Sequence, residues 1–169
     1  IACKYEEIYF PEIIDFREIT DNTFTKDQIL KKELDILSKL KFDVTVPSAL
    51  RFFEIYNIYL KLEGREKSSV LYLLELAAFD YHMLKYKPSL IAAGCLMLIV
   101  HNNKFLKEKL FMFCNHKMED ISEACKDLII MYQKPDHGSK SVSRKFSVAK
   151  YNCISNYDIL SEAIHSGAS

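Results

Sequence analysis

Apolar residues return every three to four positions over most of this chain, the spacing of one helix face rather than the alternation of a strand. Ile1 to Ile8 carry that spacing, and Pro11 then opens a short second helix whose buried side is Ile13, Ile14 and Phe16. After a turn, Thr25 and Gln28 stand at capping-box distance and begin a third helix that runs to about Leu40. At about 100° per residue, Ile29, Leu30, Leu34, Ile36, Leu37 and Leu40 share one arc, and Glu33 falls near its middle. An unpaired carboxylate there is costly, so Glu33 requires either an internal donor or a face completed by another molecule.

From Lys41 to Val46 the periodicity breaks, and at Pro47 or Ser48 it resumes with Leu50, Phe52, Phe53, Ile55, Tyr56, Tyr59 and Leu60. A domain boundary is expected here, with residues 1–43 on one side and 44–133 on the other. Gly64 is expected to close the helix it follows, and Ser68 to about Met83 to form the next. Pro88 starts an eleven-residue apolar run, Leu90 to Val100, in which Ala92, Ala93 and Gly94 let neighbouring helices come close. Two amphipathic segments, from about Phe105 to Cys114 and from Met118 to Tyr132, complete five helices. The order of helices in Ile1–Leu40 loosely repeats in Pro88–Tyr132, as if the first unit lacked two opening helices. Past Pro135 the sequence turns to Ser, Lys and Arg, and residues 134–169 are expected to form a basic, loosely packed tail anchored by Phe146 and Tyr151.

Composition narrows the class to all-α. Only four glycines and four prolines punctuate 169 residues of which 49% are apolar, too few turns for a sandwich or barrel. The 23 basic and 23 acidic side chains cancel, so neither nucleic acid nor an anionic membrane is an expected partner. The longest apolar run falls short of the roughly 17–25 residues a membrane span needs. Cys3, Cys95, Cys114, Cys125 and Cys153 form no CxxC pair and suit a reducing compartment, nucleus or cytoplasm. The chain opens on Ile1 in mid-pattern and reads as a fragment.

No constellation in it suggests catalysis. There is no GxxxxGK or GxGxxG loop for a nucleotide, no HExxH, and no spacing of cysteines and histidines that suits zinc, so no cofactor or metal is expected. Cys95 and His101 lie about 120° apart on a helix, which makes Cys95 a buried structural thiol. Glu6 and Glu7 point in different directions, as neighbours on a helix do. The basic tail lacks the interleaved aromatics of a nucleic-acid platform. A helical protein with no active site and an acid in an apolar stripe suggests a protein-binding module.

Particular residues give that module a family. Ile1-Ala2-Cys3-Lys4-Tyr5-Glu6-Glu7-Ile8-Tyr9, followed by Pro11-Glu12-Ile13 and Asp15-Phe16, resembles the third and fourth helices of a cyclin box. Ile19-Thr20-Asp21-Asn22-Thr23-Phe24-Thr25, then Gln28-Ile29 and Glu33, resembles the fifth helix and its lead-in, in wording nearest to B-type mitotic cyclins. Leu76 through Asp80-Tyr81, Met83 and Pro88-Ser89-Leu90-Ile91-Ala92-Ala93-Gly94 resembles the second and third helices of the C-terminal cyclin fold.

The resemblance implies an all-α cyclin fold, with a partial N-terminal box of three helices and a complete C-terminal box of five. It implies a non-catalytic regulatory subunit that binds and activates a cyclin-dependent protein kinase in G2/M control, with a transcriptional cyclin or general transcription factor core as the alternative. Lys4 and Glu33 fall where the family grips the kinase backbone, and Ile1, Tyr5, Leu37 and Phe42 in the apolar part of that face. For Ile1 and Leu37, ordinary core packing is nearly as good a reading. Cys3 stands where serine is usual. The first two helices of the first box are absent, and with them most of the substrate-docking groove. Exposed apolar surface left behind is expected to make the fragment either self-associate or swap helices.

Overall fold

The computed structural model describes residues 1–134 and 140–161, and within them every regular element is helical. The chain divides into two units between Val46 and Pro47, where the sequence pattern placed its boundary between residues 43 and 44.

The first unit, Ile1–Val46, holds α1 (Ala2–Glu6), α2 (Ile13–Ile19) and α3 (Lys26–Lys39), with α2 packed against α3. The predicted capping box begins α3: the Thr25 hydroxyl accepts the Gln28 N–H at 3.2 Å, and the Gln28 side chain accepts the Thr25 N–H at 2.8 Å. Glu12 and Asp15 make the same reciprocal arrangement at the start of α2. Helices α2 and α3 also end alike. Asn22 N–H bonds Arg17 O and Asp21 N–H bonds Glu18 O; after α3, Phe42 N–H bonds Leu37 O and Lys41 N–H bonds Ser38 O. This is the Schellman pattern, with Asp21 and Lys41 in the left-handed position where glycine is usual. No side chain among residues 1–46 is buried, and Ile8, Ile14 and Ile36 stand exposed. Three helices enclose no interior of their own.

The second unit, from Pro47 onward, contains a real core. Its hub is α6 (Pro88–Ile99), packed against α4 (Ala49–Leu60), α5 (Gly64–Phe79), α7 (Lys104–Cys114) and α8 (Met118–Gln133). Pro88 takes the first turn of α6, where its missing N–H has no bond to lose. Ala92, Ala93, Cys95 and Leu96 have no exposed surface at all, because α6 is covered on every side. A Cβ on Gly94 would lie 2.9 Å from Leu128 Cδ1 and 3.5 Å from Ala124 Cβ, so the absent side chain is what admits α8.

Gly64 does not close α4, as its position suggested. That helix ends at Leu60, with Lys61 left-handed and its N–H on Asn57 O. The Asn57 amide then fastens both backbone groups of Leu62, at 2.8 and 3.2 Å. Gly64, at φ +53°, instead begins α5, which stops at Phe79 rather than Met83. There Asp80 accepts the His82 N–H and starts a 3₁₀ turn, Tyr81–Lys85.

The stretch past α8 is also not the loose tail its composition suggested. In α9 (Lys140–Phe146) Val142 and Phe146 are buried, as are Ile154 and Leu160 beyond it. The Phe146 ring lies 5.2 Å from Tyr72 and 4.5 Å from Tyr151, so both expected anchors do pack. Lys145 turns outward onto Glu75, and Asn152 donates to the Ser68 hydroxyl at 2.9 Å. The basic residues form the outer face of a segment whose inner face belongs to the core. The rest of the expected tail, residues 135–139 and 162–169, lies outside the described residues.

Candidate functional site

The six residues singled out from the sequence all lie in the first unit. Lys4 comes from α1 and Glu33 from the middle of α3, and Lys4 Nζ donates to Glu33 Oε2 at 2.7 Å. Glu33 thus has an internal donor, the first of the two alternatives its position demanded. Its side chain is 18% exposed and that of Lys4 49%, so the pair lies at the surface rather than under it. Ile1 is itself exposed.

Leu37 follows Glu33 by one helical turn and therefore shares its face. It is half-buried, and its carbonyl receives the Phe42 N–H at 2.8 Å through the Schellman cap. Phe42 has φ +58°, a conformation unfavourable for a residue with a Cβ, and leaves 62% of its surface exposed. An aromatic held out of the protein by a strained backbone has its apolar surface available to a partner. Tyr5, 52% exposed, directs its hydroxyl to Thr45 at 2.8 Å. Thr45 was not anticipated: it lies where the apolar periodicity fails, and nothing in the spacing pairs it with Tyr5.

Two apolar grooves adjoin these residues. One of about 590 Å³ is lined by Ile1, Phe24, Gln28, Ile29, Glu33 and Ile36 among others, and one of about 350 Å³ lies beside Cys3, Lys4, Pro11, Ile13 and Phe16. The arrangement is one ion pair of surface charges bordered by exposed apolar side chains. Such a surface can dock a partner through hydrogen bonds at its charges and contact area around them. Among the described residues no cluster of three or more His, Cys, Asp or Glu is placed to hold a metal. Cys95 and Cys125, in the second unit, are held protonated by burial, the Cys125 thiol pushed up to about 12.

Comparison with known sequences agrees with the two-unit division. The pattern of the cyclin N-terminal domain matches residues 1–45, and that of the cyclin C-terminal domain matches residues 47–160. The chain belongs to the cyclin family. Its relatives include human Cyclin-A1, 37% identical over an alignment of 162 positions that covers 92% of this chain and 34% of that protein. The G2/mitotic-specific cyclin-B of Spisula solidissima is 34% identical over 158 residues, 92% of this chain and 37% of that protein. The G2/mitotic-specific cyclin-B2 of Oryzias luzonensis is 44% identical over 98 residues, 58% of this chain and 25% of that protein. A- and B-type cyclins thus stand together among the relatives, and the chain spans well under half the length of each.

Proposed function

We propose that this chain is a regulatory subunit that docks on a cyclin-dependent protein kinase through the surface of α1 and α3 and acts in the G2/M stage of the cell cycle. The observation that carries the reading is the placement of Lys4 and Glu33 side by side at the surface, with Leu37 one helical turn beyond Glu33 and the exposed Phe42 bonded through its N–H to the Leu37 carbonyl. On docking, Lys4 donates to a kinase backbone carbonyl and Glu33 accepts a backbone N–H, while Ile1, Tyr5, Leu37 and Phe42 cover apolar surface of the kinase's C helix. The work expected of a cyclin is to turn that helix inward, so that the kinase's own glutamate meets its catalytic lysine. The cyclin contributes no reacting group, and its place of action is the nucleus and cytoplasm. The mitotic names of its relatives favour this reading over a service in transcription.

Calorimetric titration of a monomeric mitotic cyclin-dependent kinase with this chain tests it, with Glu33→Ala as control. Removing one partner of a desolvated charge-assisted contact costs about 2–5 kcal/mol, or roughly 30-fold or more in Kd. Binding by the wild type that survives Glu33→Ala unchanged would place the interface elsewhere.

A second reading concerns the same unit. Because no side chain of residues 1–46 is buried, a second copy is a ready cover for the apolar grooves. Light scattering should then show mass rising with concentration, and a monomer throughout the range would exclude it.

A further inference from the structure

Helix α1 has no buried side chain and no side-chain cap, and at its ends Tyr5 N–H bonds Ile1 O and Glu7 N–H bonds Cys3 O. Two side-chain bonds fasten it to the rest of the unit. Lys4 reaches Glu33 on α3, and the Tyr5 hydroxyl meets the Thr45 hydroxyl in the segment after α3. Successive helical residues point about 100° apart, so the two ties leave α1 in different directions and together fix its rotation. The docking reading adds a consequence. When the kinase takes the Lys4 and Glu33 groups for its own backbone, the first tie is surrendered at the moment α1 most needs to be held.

We propose that Thr45 is the positioning residue of the docking surface: through the Tyr5 hydroxyl it holds α1 in place while Lys4 and Glu33 are engaged by the partner. Tyr5 then has two separable parts, a ring that contacts the kinase and a hydroxyl that faces its own chain. This assignment rests on the docking reading and is tested so that the two can fail apart. Tyr5→Phe keeps the ring and removes the tie, and Thr45→Val removes the other hydroxyl at nearly the same volume.

Each variant should weaken kinase binding about three- to tenfold, the worth of one neutral hydrogen bond. The double variant should lose no more than either single one, and Thr45→Ser should restore wild-type binding. Amide exchange at Tyr5 and Glu7, measured on the chain alone, should quicken several-fold in Tyr5→Phe and Thr45→Val while α3 is unchanged. Additive losses, or unchanged exchange in α1, overturn the role given to Thr45. Faster exchange in a chain that binds no kinase even as wild type upholds the tie and overturns the docking reading.

Discussion

Lys4 and Glu33, 29 residues apart in the chain, are bonded to each other at 2.7 Å in the free protein. On the docking reading proposed above, this pair exchanges one partner for another when the kinase binds. Pairs this exposed contribute about 1 kcal/mol or less to stability, because water screens them and two long side chains lose freedom. Lys4→Ala and Glu33→Ala should each lower the stability of the first unit by no more than that. In a double-mutant cycle on urea unfolding, the coupling should shrink as salt rises from 0.05 to about 0.5 M. A coupling of several kcal/mol would mean that the ion pair holds the fold together rather than waiting for a partner.

The two units should differ widely in local stability. The second encloses Phe53, Leu73, Leu96, Ile121 and Leu128 with 1% exposure or less, whereas the first encloses nothing. Opening free energy follows buried apolar contact, so amides of α1 to α3 should exchange far sooner than those of α5, α6 and α8. Mass-resolved hydrogen exchange on the chain alone checks this, and equal protection of α3 and α6 would contradict it.

Acid should weaken the second unit in two stages. His116, whose ring nitrogen meets the Ser89 hydroxyl, has its pKa lowered chiefly by burial, with Lys87 adding to the effect and Asp120 opposing it. The unfolded chain therefore takes up that proton first, and stability falls as pH drops below about 6.5. Asp80 and Asp127 are held below the usual carboxylate range by hydrogen bonds from Lys134 and Lys85 respectively. What they contribute is complete above about pH 4 and is lost as pH falls through their lower folded values. Thermal midpoints across pH 7.5 to 3 should show both stages, and His116→Gln should remove the upper one. A midpoint flat from pH 7 to 5 in the wild type would count against the role of His116.

Gly94 and Gly64 should fail for different reasons when replaced. Gly94→Leu drives side-chain atoms into Leu128 and Ala124, so overpacking should cost about 1–3 kcal/mol or more. Gly64→Ala meets nothing within 4 Å, and its cost of about 1–2 kcal/mol comes from φ +53° alone. Chemical unfolding separates the cases: Gly64→Asn should recover part of the loss, because asparagine tolerates that backbone, while no side chain at residue 94 should.

Helix positions were legible because apolar spacing and caps act within a few residues. Thr25–Gln28, Pro88 and the Met118 start needed no tertiary information. Gly64 misled because a glycine after an apolar stretch reads as a stop, whereas the stop is made by Lys61 and the Asn57 side chain. The last segment misled because its lysines and arginine dominate its composition while Val142, Phe146, Ile154 and Leu160 determine where it packs. At the site, the position of Glu33 within an apolar arc showed that it needed either an internal donor or a partner's surface, but not which, nor that Lys4 would be the donor. Pairing residues 29 or 40 apart depends on how helices fold back, which no local spacing records.

The cap after α3 bears on how such a surface can diverge between related chains. Leu37 and Phe42 are registered to each other by a main-chain bond, Phe42 N–H to Leu37 O, in which neither side chain takes part. Substitutions at either position can therefore alter size and shape while the Cα–Cβ directions stay where they are. If this face docks a partner as proposed, the shape it offers can then change one side chain at a time without rebuilding the turn that presents it.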